Sequence, residues 1–199
     1  IIRKMKGNAK EKPKKLHKRK KKVEQANYPG ERVQIDIKYV PEECIQFGTR
    51  DQKYYQITAL DKYTRKRVLM IADEKSTYQT AKFLENLEKE LGFDIKKVQT
   101  DNGKEFTNSE SDKKTLFELK LEEKGIEYVT IRPYSPWENG KVERSHRLDS
   151  KYYADKKFKS KEELLRAIRK YNTRYNNISR KVLGFKSPNE VLKEYKENQ

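Results

Sequence analysis

The sequence contains very little cysteine and no long hydrophobic run, and each shortage excludes a class of protein. Cys44 is the single cysteine among 199 residues, so the chain forms neither an internal disulfide nor a cysteine-rich zinc site. The longest apolar run, from Val68 to Ala72, is far shorter than the roughly 18 residues that suggest a transmembrane helix. We also expect no secretory signal, because charged residues directly follow the first two isoleucines. The sequence therefore predicts a protein of a reducing compartment with no membrane partner.

Acidic residues are scarce relative to basic ones. The chain has 31 Asp and Glu against 48 Lys and Arg, a net charge of +17, and 40% of its residues are charged. An average globular protein has about 25% charged residues, so a protein that binds only neutral small molecules is disfavoured. Thirteen tyrosines and seven phenylalanines argue against disorder of the whole chain. The length suits one domain with an appendage.

The positive charge is concentrated at the N-terminus. The first 22 residues contain 12 Lys or Arg and one Glu, a net charge of +11, which leaves +6 for the other 177 residues. Such a block repels itself and lacks apolar periodicity, so residues 1–29 are predicted to form a basic arm or linker. Dense cationic segments bind nucleic acids by releasing counterions from phosphates, and we assign Lys18, Arg19 and Lys20 to DNA contact. A solubilising tail or a localisation signal is the alternative.

Hydrophobic periodicity after residue 30 predicts an α/β domain. Val33, Ile35 and Ile37 alternate with polar residues, as in a half-buried strand, and two more strands before residue 72 imply an antiparallel meander. The predicted order is strand-strand-strand-helix-strand-helix-strand-helix-helix. This order describes a mixed sheet with helices on both faces. In the helix predicted at residues 111–124, Leu116, Leu119 and Leu121 are expected to face inward.

The last predicted helix follows a capping box formed by Ser160 and Glu163. Its apolar residues recur at helical spacing and predict a buried stripe that includes Tyr171 and Tyr175. We therefore assign these two tyrosines to packing.

Three acidic residues stand where neither a core nor a solvated surface explains them well. Asp36 lies within an apolar strand, Asp101 ends another strand before an Asn-Gly turn, and Glu143 lies one turn into a helix. Hard divalent cations prefer carboxylate oxygens, and two-metal phosphodiester chemistry uses several carboxylates to hold ions about 3.5–4 Å apart. Because the chain has 31 acidic residues, composition alone gives this triplet little weight.

The sequence motifs around the three acidic residues are much more informative than the composition. The strings are Val33-Gln34-Ile35-Asp36-Ile37-Lys38, Gln99-Thr100-Asp101-Asn102-Gly103-Lys104-Glu105-Phe106 and Pro133-Tyr134-Ser135-Pro136-Trp137-Glu138-Asn139-Gly140-Lys141-Val142-Glu143-Arg144. In this order they resemble the three blocks of the integrase catalytic core found in DDE transposases and retroviral integrases. A fourth string, Leu183-Gly184-Phe185-Lys186-Ser187-Pro188-Asn189-Glu190, is similar to the tail of bacterial insertion-sequence transposases.

The resemblance covers roughly residues 30 to 195 and implies a ribonuclease-H-like fold. It divides the chain into the arm 1–29, a catalytic core 30–178 and a C-terminal tail 179–199. By motif position, Asp36, Asp101 and Glu143 are the catalytic residues and the ligands of two Mg²⁺ ions, with Mn²⁺ as a substitute. Glu138 is a rival within the same block, whereas Glu105 and Asp61 are expected to be structural or to support the site.

The resemblance also implies an activity. Water cleaves the DNA at the element end, and the freed 3′ hydroxyl attacks target DNA by direct transesterification, without a covalent enzyme intermediate. The implied partners are element-end and target DNA and further copies of the chain, assembled on DNA in the bacterial cytoplasm near the nucleoid. A ribonuclease-H-like nuclease that only hydrolyses, or a domesticated nucleic-acid-binding protein without catalysis, is the alternative.

The helix of Glu143 predicts further DNA contacts. Residues at i+4 and i+8 share its face, which places Arg147 and Lys151 beside the glutamate, where they can hold phosphates of the scissile strand. Lys141 and Arg144 point elsewhere and are assigned to the second strand. Asn102, next to Asp101, is the remaining predicted DNA contact. The alternative for this helix is a basic solvated face.

Two features depart from the family pattern. Asp101 and Glu143 are 42 positions apart, more than in many relatives, and the excess is expected between Thr107 and Glu123. The helix-turn-helix that such transposases usually carry at the N-terminus is missing, so recognition of element ends is expected to lie outside this chain. His146, three residues after Glu143, is expected to pack or form hydrogen bonds rather than to bind metal.

Overall fold

One mixed five-stranded sheet organises the protein. The computed structural model describes residues 25–49, 52–108, 112–132 and 135–199. The strands are β1 (Val33–Tyr39), β2 (Tyr55–Asp61), β3 (Arg67–Ala72), β4 (Lys97–Thr100) and β5 (Glu127–Thr130). They lie in the order β3-β2-β1-β4-β5. The first three strands form the expected antiparallel meander, and β4 and β5 extend the sheet in parallel with β1.

Helices cover both faces of this sheet. They are α1 (Thr77–Leu91), α2 (Leu116–Glu123), α3 (Gly140–Ala154), α4 (Lys161–Asn177) and α5 (Pro188–Glu197). The predicted fold class is confirmed, and the predicted order of elements is found up to α4. Sequence analysis did not anticipate α5, which lies within the segment assigned to the tail. No helix in the described part of the chain is long and apolar enough to cross a membrane.

The helix α2 packs differently from the prediction. Leu116 and Leu119 are each 48% exposed, whereas Phe117 and Leu121 are fully buried, so the prediction is wrong for Leu116 and Leu119 and confirmed for Leu121. The helix begins at Leu116, after a capping box on Thr115. The ring of Phe117 packs edge-on against Phe106 and Tyr128, so the aromatic residue occupies the inward face and turns its leucine neighbours outward.

The two faces of the sheet differ in chemistry. The face under α1 and α2 is apolar and contributes side chains such as Ile35, Ile57 and Val98 to the largest hydrophobic cluster. The opposite face, under α3 and α4, buries polar side chains, among them Gln34 and Gln56. Because side chains alternate along a strand, both faces come from the same strands, and Asp36 belongs to the polar one.

The helix α5 closes the chain against the core. Ser187 caps it through a capping box with Glu190, and Pro188 occupies its first turn, where a missing N–H is tolerated. Leu192 is buried, and the ring of Tyr195 contacts Tyr63 edge-on. Part of the segment after residue 178 is therefore helical and packed.

Candidate active site

The two aspartates lie at equivalent positions on neighbouring parallel strands. The paired register of β1 and β4 ends at Gln34 opposite Gln99. Asp36 and Asp101 each follow two residues later, so they leave the same face of the sheet at its carboxyl edge. Open α/β sheets place their ligand sites at such edges. The N–H of Gly103 donates a hydrogen bond to Asp101 at 3.1 Å, and the N–H of Ile37 donates one to Asp36 at 2.9 Å.

Two buried glutamines fasten the start of α3 to this edge. The side-chain amides of Gln34 and Gln99 both donate to the carbonyl of Glu138, at 2.5 and 2.8 Å. The side-chain oxygen of Gln34 also accepts a hydrogen bond from the N–H of Val142 at 3.2 Å. These bonds fix the turn before α3 and the first turn of that helix, which carries Glu143. Sequence analysis missed the glutamines, although each stands two residues before a candidate aspartate.

The electrostatics show that the three carboxylates influence one another. Burial, followed by the negative charge of Asp101, raises the pKa of Asp36 to about 7, and Glu143 and Glu105 add to the rise. Burial also raises the pKa of Glu143, an effect that Arg147 opposes and Asp101 reinforces. Negative charge is therefore concentrated here beyond what the local cations balance, as in sites that bind cations.

His146 connects α3 to Asp36 and to β2. Its Nδ1 lies 3.4 Å from a carboxylate oxygen of Asp36, and its Nε2 lies 3.3 Å from the hydroxyl of Thr58. Burial lowers the pKa of His146 to about 4, so the ring is neutral near pH 7. The ring therefore forms a hydrogen bond with the hydroxyl of Thr58, and its Nδ1 makes a polar contact with a candidate catalytic residue.

The network continues into a buried ion pair beneath α3. The amide of Gln56 donates to Thr58 at 3.0 Å and to Asp149 at 2.8 Å. Asp149 accepts from Arg67 at 2.7 Å, and both side chains are fully buried. Polar contacts therefore run without a break from Asp36 to Arg67, in positions that hold the second half of α3 on the sheet.

The rival carboxylates have other partners. Glu138 accepts hydrogen bonds from the backbone N–H and the guanidinium of Arg132. Glu105 forms an ion pair with Lys75 at 2.9 Å, and Asp61 accepts from the backbone N–H and hydroxyl of Thr64. Their side chains stabilise loops and turns, although the charge of Glu105 also reaches Asp36.

The predicted DNA contacts fall into four groups. Arg147 is exposed and close enough to Glu143 to affect its pKa, and Lys151 is exposed two turns further along α3. The amide of Asn102 donates to the carbonyl of Ile131 at 3.3 Å, so it ties β4 to the end of β5. Lys18, Arg19 and Lys20 lie outside the described residues.

Lys141 and Arg144 lie in a separate cationic cluster. The ammonium of Lys141 donates to the carbonyl of Lys62 at 3.1 Å. Burial and the nearby charges of Arg65, Lys62 and Arg144 lower its pKa to about 7. Both residues lie near the guanidinium of Arg65, and their contact with DNA stays a prediction.

The donor chemistry of the site fits a divalent cation. Among the residues that the structure describes, no group of three or more His, Cys, Asp or Glu side chains is arranged to hold an ion. The carboxylates of Asp101 and Glu143 are nevertheless close enough to Asp36 to raise its pKa. Carboxylate oxygens are the ligands that Mg²⁺ and Mn²⁺ prefer, and a divalent cation would relieve this repulsion.

Comparisons with known proteins agree with this fold. One integrase core domain profile matches residues 26–136, and a second one matches residues 124–180. The chain therefore belongs to the integrase core domain family, as the sequence motifs predicted. A curated relative, a putative integrase of Spiroplasma virus SpV1-C74, is 31% identical over 169 residues, or 78% of this chain. The chain spans 46% of that relative, about half its length.

Solved structures show the same fold at low sequence identity. A chain of the simian T-cell lymphotropic virus intasome, solved in complex with PP2A regulatory subunit B56 gamma, matches 86% of this chain with a TM-score of 0.66 and 19% identity. This chain covers 57% of it. The magnesium-bound catalytic core domain of HTLV-2 integrase matches 82% of this chain with a TM-score of 0.59 and 18% identity, and 97% of that domain is covered. These similarities confirm the ribonuclease-H-like fold.

Proposed function

We propose that this chain is the catalytic core of a DNA integrase or transposase that cleaves DNA 3′ ends and joins them to target DNA. The proposal is supported by the electrostatic influence of Asp101 and Glu143 on Asp36, and by the equivalent positions of Asp36 and Asp101 in the register of the parallel strands β1 and β4. Membership of the integrase core domain family supports the same reaction class.

In this proposal Asp36, Asp101 and Glu143 hold two Mg²⁺ ions. Bound there, the ions would activate the attacking oxygen and stabilise the leaving 3′ oxygen. In cleavage, a water oxygen bonds to phosphorus as the bond to the 3′ oxygen breaks. In joining, the freed 3′ hydroxyl oxygen bonds to a target phosphorus, and the target's own 3′ oxygen leaves. One phosphodiester bond forms for each one broken, so the joining step needs no ATP.

The surrounding residues position the substrate and the ligands. Arg147 lies beside Glu143 and is placed to hold a phosphate of the reacting strand. Gln34 and Gln99 hold the start of α3, and the neutral ring of His146 lies against Asp36. The remaining catalytic work is positioning and charge stabilisation. Joining two element ends implies an assembly of several copies on DNA.

The test compares Asp101→Asn with wild type on a labelled DNA duplex that has a recessed 3′ hydroxyl, in the presence of Mg²⁺. Asp155→Asn is the matched control, because Asp155 is exposed at the end of α3 and the same charge is removed. We expect nicked and joined products from wild type and the control, and loss of both from Asp101→Asn by at least about a hundredfold.

The products also separate the alternatives. Nicking without joining would identify a nuclease that only hydrolyses. Activity that Asp101→Asn leaves unchanged would contradict the assignment of the carboxylates. DNA binding with no Mg²⁺-dependent product would identify a non-catalytic nucleic-acid-binding protein.

A further inference from the structure

One ion pair beside the candidate active site has no part in the chemistry proposed above. The ammonium of Lys75 lies 2.9 Å from a carboxylate oxygen of Glu105. The side chain of Glu105 is only 7% exposed, whereas that of Lys75 is 39% exposed. A buried carboxylate has lost most of its hydration and needs a charged partner, so the burial of Glu105 depends on Lys75.

The ion pair joins two segments that are distant in sequence. Lys75 lies in the turn between β3 and α1, and Glu105 lies in the loop that follows β4. A second contact joins the same region, because the hydroxyl of Thr80 in α1 donates to the backbone carbonyl of Glu105 at 2.7 Å. Glu105 is therefore held through its side chain by one contact and through its backbone by the other.

The loop that contains Glu105 also carries Asp101. The carbonyl of Gly103 accepts hydrogen bonds from the N–H groups of Phe106 and Thr107 at 2.9 and 3.0 Å, and the N–H of Gly103 donates to Asp101. The side chain of Glu105 folds back so closely that a β-carbon at Gly103 would lie 2.5 Å from its carboxylate oxygen. A displacement of Glu105 would therefore move the backbone N–H that contacts Asp101.

The charges of the pair also reach the candidate metal ligands. Although burial lowers the pKa of Lys75, the neighbouring Glu105 and then Asp101 raise it above its ordinary value overall. The charge of Glu105 contributes to the raised pKa of Asp36. By charge alone, Lys75 would therefore weaken the binding of a metal ion at these aspartates, and Glu105 would strengthen it.

We propose that Lys75 and Glu105 are positioning residues of the candidate active site, because their ion pair fixes the conformation of the loop that carries Asp101. The inference rests on the proposed function, in which Asp101 binds metal ions. Side chains that orient metal ligands without touching the metal control its affinity, and their loss typically weakens binding by about 10–100-fold. Neither Lys75 nor Glu105 contacts the reacting atoms in this role.

The first experiment measures Mn²⁺ binding to the full chain by calorimetry. Lys75→Met and Glu105→Gln each remove one charge with little change in side-chain size, and we expect both to raise Kd by about 10–100-fold. Charge alone predicts opposite signs, since Lys75→Met would tighten binding and Glu105→Gln would weaken it. Tighter binding by Lys75→Met would therefore overturn the proposal. Lys75→Arg should bind Mn²⁺ like wild type, because a guanidinium also pairs with a carboxylate.

Two matched controls break other ion pairs near the same elements. Glu127→Gln breaks the pair with Lys97, which has nearly the same length at 2.8 Å but lies at the start of β4, whereas Asp101 follows its end. Lys161→Met breaks the pair with Asp73, at 3.2 Å, in the turn before α1. Neither control should change Kd. Weakening by a control as large as that in the pair variants would contradict a specific role for Lys75 and Glu105.

Hydrogen exchange in metal-free protein tests the loop independently of the proposed function. The amides of Gly103, Phe106 and Thr107 report on its hydrogen bonds, and amides of β2 serve as the reference for global unfolding. Relative to this reference, we expect exchange at the three loop amides to accelerate about tenfold in Lys75→Met and in Glu105→Gln. Exchange as slow as in wild type would overturn the proposal.

The two measurements keep the two proposals apart. If wild type binds no Mn²⁺ but the pair variants accelerate exchange in the loop, the metal assignment of the proposed function fails and the role of the ion pair stands. If wild type binds Mn²⁺ and the pair variants match it in affinity and exchange, the ion-pair assignment alone fails. Weaker DNA binding by Lys75→Met in EDTA, with exchange unchanged, would assign Lys75 to DNA contact and overturn its positioning role.

Discussion

Burial has different consequences on the two faces of the sheet. Under α1 and α2, apolar side chains such as Leu84 and Leu87 pack against Ile35 and Ile57 and stabilise the fold by removing hydrocarbon from water. Under α3 and α4, the sheet buries polar groups, among them the pair Arg67 and Asp149. A polar interior gains little net stability, since desolvation offsets most of the attraction.

The polar face instead fixes the position of α3 on the sheet. Hydrogen bonds require particular distances and angles, whereas apolar contact tolerates sliding, so the bonds from Gln34 and Gln99 define where α3 begins. The candidate active site lies on this face. We therefore expect substitutions on the apolar face to lower stability alone, whereas substitutions on the polar face also disturb the carboxylates.

The largest effect is expected at the buried ion pair. Asp149→Ala leaves the guanidinium of Arg67 buried without its charged partner and should lower the free energy of unfolding by about 3–5 kcal/mol. Urea denaturation measures this change. The double variant Arg67→Met with Asp149→Leu should recover most of the stability, because it removes both charges at once. Failure of the double variant to recover would show that the charges themselves are needed.

A smaller effect on stability, but a specific one on activity, is expected at Gln34. Gln34→Leu removes one of two donors to the carbonyl of Glu138 and leaves the N–H of Val142 without its acceptor, at a cost of about 1–3 kcal/mol. We expect strand joining per folded molecule to fall about tenfold, because the first turn of α3 loosens relative to Asp36.

The control for Gln34→Leu lies on the apolar face. Leu87→Ala should cost about 2–5 kcal/mol of stability, with joining per folded molecule unchanged. Unfolding curves and product yields, measured at a temperature where both variants are folded, make the comparison. Equal activity in the two variants would contradict a special role for the polar face.

The smallest effect concerns pH and His146. The pKa of this ring is about 4 in the folded protein against an ordinary value of 6.5, so between these values the unfolded chain binds more protons. Its contribution to stability is therefore present above pH 6.5 and is lost as the pH falls toward 4. In metal-free buffer, the difference in unfolding free energy between wild type and His146→Gln should increase as the pH rises from 4 to 6.5.

The titration of Asp36 changes stability in the opposite direction. Asp36 is present in both wild type and His146→Gln, so its contribution cancels in the difference between them when its pKa is the same in both proteins. Burial and neighbouring carboxylates raise its pKa to about 7, so the folded state binds more protons and stability falls as the pH rises toward that value. A constant difference between wild type and His146→Gln from pH 4 to 6.5 would show that the ring is not buried in its neutral form.

Much of the fold was predictable, because its signals are local. The alternation around Asp36 and the helical spacing before Gly92 indicated β1 and α1 correctly. The helix α2 shows the limit of such signals, because Leu116 has the right hydrophobicity but Phe117 fills the space beside Phe106. The helix α5 was not predicted, because the family resemblance assigned its whole segment to a C-terminal tail.

The sequence motifs predicted the acidic residues of the candidate site, but not the side chains that hold the surrounding backbone in place. Three motifs in the family's order named Asp36, Asp101 and Glu143. Gln34 and Gln99 stood beside two of these residues in the same motifs, yet nothing local showed that both amides would meet one carbonyl.

By itself, the sequence determined the order of the elements, the basic charge and the family, because periodicity, composition and motif spacing are properties of neighbouring residues. Only the tertiary structure decided which side chains meet. Gln34 and the carbonyl of Glu138 are 104 positions apart, and His146 contacts Thr58 from 88 positions away. Residues of α3 and α4, which are also distant in sequence, line one groove. Such contacts exist only after the sheet has formed and the helices have packed on it, since hydrogen bonds and close packing depend on distance in space.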